Sequence, residues 1–507
     1  MESFSRRGFL QLSAASAMAA QPRRPNVVLI MANQMRYDCL GANGNRIIQT
    51  PHLDRLAAQS ANFQNAFTQA PVSVPSRISL FTGRYPHSHK NRVDYTPCDP
   101  REILLQQRLK DAGYQTGAVG KLHYYPPTAD HARTTGFDFV EVDDGNPRTD
   151  PFSDYVRWRK RHDPNAAIPY EGVMKNPGPG GNPFRAEIDY QYTATAWVGA
   201  QTRDLIQHFA GSARPFFVHA SFFKPHSPPT VPTPYDSIYN GVTIPLPRPA
   251  DEEYIHSLPG PVQKQILRSR AAFDLEPRRL EWIYRSYYGA VSMVDHEVGL
   301  ILEELEKTER AQDTIVIFAS DHGDQLLEHG LQGANLFFEA SVHIPLMMRF
   351  PGRVTPGKYS QMVEAIDVLP SVLELSEIPA PLNCQGRSFA SLLTGARGYE
   401  ARDCVFSENI IPEVLTNGLI EAPFVPGKGV SGIQHPDAKM IRTSRWKLNY
   451  YPGVGGELYD LMLDPQELNN LYGDANSQDV VRDLTKRVLD WMITGDENDQ
   501  IAPRSML

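Results

Sequence analysis

Three apolar runs do most to fix what this 507-residue chain can fold into. They are Asn26-Val27-Val28-Leu29-Ile30-Met31-Ala32, Pro215-Phe216-Phe217-Val218-His219-Ala220-Ser221-Phe222 and Thr314-Ile315-Val316-Ile317-Phe318-Ala319. A strand wetted on one side alternates apolar with polar residues. Near-continuous apolar runs of this length instead predict strands covered on both faces, as in a parallel sheet. Helical patterns separate them. Thr50-Pro51 opens a helix with Leu53, Leu56 and Ala57 on one face, and Ile103, Leu104 and Leu109 mark a second, stopped by Gly113. A short strand runs from Thr116 to Gly120, and a long amphipathic helix from about Leu280 to Lys307 feeds the third run. Alternation of this kind predicts an α/β fold: a mostly parallel sheet flanked by helices.

From about residue 400 the texture changes. Lys439 to Tyr451 partly alternates, turn chemistry follows at Pro452-Gly453 and Gly455-Gly456, and a last helix carries Val481, Leu484, Val488 and Trp491. We read residues 21–395 as one α/β domain and 396–507 as a smaller domain, an antiparallel sheet with a packed helix. The Pro-rich stretches 143–186 and 224–262 read as long surface loops. With 41% hydrophobic residues the chain has material for a large core.

Net charge is -8 and no long Lys/Arg run occurs, which argues against a nucleic-acid partner. Residues 1–20 read as an export signal, with Arg6-Arg7 before a short Ala/Ser-rich stretch and a small-x-small cleavage site at Ala17-Met18-Ala19. No other run is long enough to span a bilayer. The expected location of the mature chain is therefore periplasmic or secreted. Cys39, Cys98, Cys384 and Cys404 lie far apart; a disulfide is permitted in that compartment but not required at this size.

The chemistry-bearing residues collect where strands end. Asn33 and Gln34, Lys121 and His123, His226, and Asp321 and His322 each follow the C-terminal end of an expected strand, the edge at which open α/β sheets bind ligands. One polar strand end is ordinary; four with metal-ligand or acid–base residue types are not. A further stretch, Ser73-Val74-Pro75-Ser76-Arg77-Ile78-Ser79-Leu80-Phe81-Thr82-Gly83, reads as a helix start, because Pro75 suits a first turn. Ser73 then lies at the positive end of a helix dipole, with Arg77 one turn on along the same face.

That stretch resembles the signature of the type I sulfatases, a branch of the alkaline phosphatase superfamily: Cys or Ser, any residue, Pro, Ser, Arg, then Leu, Thr and Gly at fixed distances. Lys121-Leu122-His123 is similar to the family's Lys-x-His, Lys224-Pro225-His226 to the substrate-side His of iduronate-type sulfatases, and Ser320-Asp321-His322-Gly323 to its second metal motif. The resemblance spans nearly all of residues 25 to 475 and extends to phosphonate monoester hydrolases. It implies an alkaline-phosphatase-like fold and a sulfuric ester hydrolase.

Residue 73 would be oxidised to formylglycine by a maturase, since a plain Ser hydroxyl is a poor nucleophile without a base. Asn33, Gln34, Ser73, Asp321 and His322 would hold a divalent cation, Ca²⁺ by their oxygen-rich character, with His322 also admitting Mn²⁺. Arg77 and Lys121 would hold the anion, His226 would protonate the leaving alcohol, and His123 would deprotonate the spent nucleophile. The substrate expected is a sulfated small molecule or glycan. Alternatives are a phosphonate or phosphate diester hydrolase on the same scaffold, or an inactive homologue that binds sulfated glycans. Three positions depart from the pattern: Asn33 stands for Asp, Ala334 for Lys and His343 for Arg.

Overall fold

A computed structural model of the chain describes residues 24–94, 96–145, 151–164, 184–248, 250–272, 276–410 and 437–497. The expected export signal lies outside the described residues, as does much of the 143–186 stretch. The first strands are β1 (Asn26–Asn33), β2 (Ala61–Phe67), β3 (Gln115–Gly120) and β4 (Phe139–Val142). They are followed by β5 (Phe216–Pro225), β6 (Thr314–Ser320), β7 (Leu346–Arg349) and β8 (Gly357–Glu364). These eight make one sheet in the order β4-β3-β5-β1-β6-β7-β2-β8. Every pairing within it is parallel except those of β7 with β6 and β2.

The apolar runs behave as their pattern predicts. Val27 to Ala32 are fully buried, and successive side chains serve opposite faces, as the pleat requires. Val28, Ile30 and Ala32 belong to an apolar cluster with Trp197 and Ile206 of the helix Ala194–Ala210 and Val294 and Val298 of the helix Pro277–Lys307. Val27, Leu29 and Met31 join Val74, Ile78 and Phe81 of the helix Ser73–Thr82 on the other face. The sheet is thus covered on both sides, the condition under which unbroken apolar strands are stable.

Strands β2, β4, β7 and β8 were not legible, β4 being only four residues long. β2 carries Asn62, Gln64 and Asn65 among its seven residues, β7 is four residues long and antiparallel, and β8 begins as an exposed edge. None presents a long apolar run, and each is strand-like only because a neighbour supplies its backbone partners.

A second sheet is antiparallel, in the order β12-β11-β10-β9, from β9 (Cys404–Ile410), β10 (Asp437–Thr443), β11 (Trp446–Tyr451) and β12 (Gly455–Asp460). The alternating stretch Lys439–Tyr451 is two strands folded at Ser444-Arg445, and Pro452-Gly453 turns β11 into β12. The helix Gln478–Glu497 lays Leu484, Val488 and Trp491 on Ile441, Leu448 and Leu458 of this sheet.

Candidate active site

In the large sheet β3, β5, β1 and β6 are consecutive neighbours. Their parallel register brings four C-terminal ends to one edge, and those ends carry Lys121, His226, Asn33 and Asp321. The helix Ser73–Thr82 starts beside this edge and is buried along its whole length. A first-turn N–H, that of Val74, is taken by Asp94 Oδ1 at 2.9 Å.

Ser73 Oγ is the point on which the cluster converges. It lies 3.2 Å from the side-chain amide of Asn33, 3.1 Å from Asp321 Oδ2 and 3.1 Å from His322 Nε2. His322 Nδ1 donates to the Gly323 carbonyl at 2.9 Å, which turns Nε2 toward Ser73. Arg77 forks across the base of the site. Its Nε donates to Asp321 Oδ2 at 3.0 Å, and one terminal nitrogen donates to the Lys121 carbonyl at 2.6 Å and Ser221 Oγ at 2.9 Å. Gln34 is held in a left-handed conformation (φ 62°) by Asp321 Oδ1 on its N–H and the Tyr287 hydroxyl on its carbonyl. Its side-chain Oε1 is buried without a hydrogen-bond partner.

His226 Nδ1 donates to the Ser227 carbonyl at 2.6 Å, so its proton is fixed there and Nε2 is the atom left for chemistry. The His123 backbone, also left-handed (φ 57°), donates to Asp144 Oδ1 at 3.1 Å. Lys224 is fully buried, with Nζ donating to the Pro228 carbonyl at 2.6 Å, so it is not a solvated surface charge.

Burial acts on all these groups. It pushes Asp321 up, but His322, Arg77 and Lys121 outweigh it and hold the carboxyl well below the usual range. Burial, with Arg77 beside it, brings Lys121 down to about 8. Burial and Lys121 hold both His123 and His226 well below the ordinary imidazole value. The edge is therefore cationic through Arg77 and Lys121, with neutral histidines poised beside them.

The donor set fits a divalent cation. Asp321 Oδ2, His322 Nε2 and the Asn33 amide, whose oxygen can turn inward, converge on Ser73 Oγ, and Gln34, next in sequence to Asn33, has its Oε1 buried without a hydrogen-bond partner. The fit is lean in charge, because among the described residues no group of three or more His, Cys, Asp and Glu side chains comes together as a metal site. Asp321 and His322 supply two, and amides and residue 73 must complete the shell.

The departures are placed as follows. Asn33 is central and fully buried, and Ala334 is buried. His343 is stacked on Tyr37 at 3.8 Å and on Phe67 at 5.0 Å, with Nε2 donating to the Gln64 carbonyl, a packing role. A cavity of about 280 Å³ lined by Arg36, Tyr37, Asp38, Glu339 and His343, among others, includes none of the expected site residues. Sequence reasoning missed Asp94, Asp144, Ser221 and Tyr287. Only Ser221 carried a signal, a hydroxyl within a buried strand.

Comparison with known proteins identifies the family. Residues 25–378 match the sulfatase family model, and residues 434–493 match the N-sulphoglucosamine sulphohydrolase C-terminal model. The chain is 28% identical to an arylsulfatase of Clostridium perfringens, over 91% of this chain and 93% of that one. It is 26% identical to human iduronate 2-sulfatase, over 90% and 92%. The solved phosphonate monoester hydrolase of Agrobacterium radiobacter superposes with a TM-score of 0.78 at 26% identity, covering 93% and 96%. A mostly parallel sheet with this cluster at its carboxyl edge, and a family match over most of that sheet, place the chain among the hydrolases of the sulfatase family, in the alkaline phosphatase superfamily.

Proposed function

We propose that this chain hydrolyses an organic sulfate ester to the alcohol and sulfate, using formylglycine made from Ser73 by a maturase and a divalent cation, Ca²⁺ before Mn²⁺. The observation that carries the reading is the convergence of Asn33, Asp321 and His322 on Ser73 Oγ, with Arg77 bonded to Asp321. When present, the cation and the formylglycine supply charge stabilisation and a nucleophile that serine lacks. Asn33, Gln34, Asp321, His322 and residue 73 would hold that cation.

The chain's own residues do the rest. Lys121 and Arg77, both buried, neutralise the ester's anionic oxygens where low local polarity makes fixed charges act strongly. His226, with its first proton fixed on Nδ1, takes a second on Nε2 and delivers it to the leaving alcohol oxygen. Its low proton affinity rises when a sulfate anion sits beside it. His123 accepts the proton of the spent nucleophile. We also place the mature protein in the periplasm or outside the cell; among the described residues no helix is long and apolar enough to cross a membrane. The substrate we propose is a sulfated small molecule or glycan.

The test is chemical. Co-expressed with a maturase, the peptide containing residue 73 is expected to be two hydrogens lighter than the serine form, and Ser73→Ala is expected to abolish sulfate-ester hydrolysis. Full activity in that variant rejects the mechanism. The phosphonate monoester hydrolase likeness favours a second reading, hydrolysis of phosphonate or phosphate diesters, which rates on matched aryl sulfate and aryl phosphonate esters separate.

A further inference from the structure

Asn33 sits where the proposed cation ligands, Ser73 and Lys121 meet, and its amide can face them in two ways. With Oδ1 toward Ser73 Oγ, that oxygen also faces both carboxylate oxygens of Asp321, while the amide nitrogen faces the Lys121 ammonium. Acceptor meets acceptor at one end and donor meets donor at the other. A cation among the oxygens removes the first conflict, and an anion drawing Lys121 away removes the second. Turned over, the amide nitrogen donates to both Asp321 oxygens and to Ser73 Oγ, at 3.2 Å from the latter, while Oδ1 accepts from Lys121 Nζ at 3.0 Å. Every amide atom is then paired with no cation needed. A buried donor or acceptor left unmatched loses its water without replacement, so neither orientation serves both conditions.

We propose that Asn33 is a positioning residue with two settings: one ties Lys121 to the cation cradle, and the other releases Lys121 to the substrate's anion once a cation enters. The proposal rests on the reading of Asn33, Asp321, His322 and residue 73 as a cation site. A carboxylate at position 33 has no such second setting, because it can accept from Lys121 but has no hydrogen to donate to Asp321. Cation and anion then raise each other's affinity, and part of that coupling passes through one side-chain amide.

Calorimetric titration of inorganic sulfate into the full chain, chelator-treated or loaded with CaCl₂, tests this. In the chelated wild type, sulfate is expected to bind at least about tenfold more weakly than in the Ca²⁺-loaded protein. Asn33→Ala, which lacks the tether, is expected to bind sulfate at least about threefold more tightly than the wild type when both are chelated. A residue that merely ligates the cation would change nothing under chelation. Asn33→Ser, whose hydroxyl is too short to reach Lys121, is expected to show the same gain and guards against a folding failure of Asn33→Ala. Ca²⁺ binding by the wild type with no gain in either variant overturns the role of Asn33 alone. Absence of both Ca²⁺ and Mn²⁺ binding overturns the cation reading and the two settings with it.

Discussion

Arg77 shows how much a single side chain carries at this edge. It is 1% exposed, it pairs with a carboxylate that is equally buried, and it also fixes the Lys121 carbonyl and Ser221. Arg77→Ala leaves Asp321 charged and buried without its partner, a loss of about 3–5 kcal/mol, which denaturant unfolding measures directly. Arg77→Lys keeps the charge but loses the fork, and is expected to fold while still losing most activity. His226 makes a different prediction, because it acts on the leaving group. His226→Ala is expected to slow alkyl sulfate hydrolysis by about 10²–10⁴ in kcat/KM. On 4-nitrophenyl sulfate, whose leaving oxygen needs little help, the loss should be far smaller. Equal losses on both substrates would place His226 outside the proton-transfer step.

At the scale of elements, two junctions hold the site in place. β3 ends at Gly120, at a φ of +99°, where an added Cβ would lie 2.0 Å from the Ser221 backbone carbonyl oxygen on β5. That carbonyl also accepts the Lys121 N–H at 2.9 Å. Gly120→Ala must therefore push β3 from β5 just before Lys121. A loss of about 1–3 kcal/mol in stability is expected from backbone strain, with a fall in kcat from a displaced Lys121. The second junction joins the small sheet to the stretch that follows the signature helix. Glu408 on β9 binds His87 just after the signature helix, and Lys439 on β10. Burial pushes Glu408 up, but Lys439, His87 and Arg92 outweigh it and hold the carboxyl far below its ordinary value. A carboxyl depressed in the fold stabilises fully above the unfolded-chain value and loses that contribution as pH falls towards the native one. The melting temperature is expected to drop as pH falls below about 4.5, and Glu408→Gln to flatten that slope while costing about 3–5 kcal/mol at pH 7. An unchanged acid slope in the variant would show that the junction does not govern acid stability.

Over the whole molecule, what could be read from the chain was whatever local chemistry dictates. Buried strands need unbroken apolar runs, so β1, β5 and β6 stood out, and the polar residues that end them, with Lys121 at the end of β3, marked the edge of the sheet. Ser73 and Arg77 belonged to one helix start, so a short stretch sufficed to place both on one face. What could not be read depends on partners remote in sequence. β2 and β7 are strands because of their neighbours, and Asp94, Asp144 and Tyr287 reach the site across tens to hundreds of residues. The sequence alone determined the residue types at the site and the layered α/β class, because side-chain chemistry and burial pattern are local properties. Only the tertiary structure decided that the ends of β1 and β6 meet at Ser73 Oγ, that His343 packs between Tyr37 and Phe67, and that the Asn33 amide lies between Asp321 and Lys121. Strand order and side-chain distance are set by packing across the whole sheet, and no local stretch encodes them.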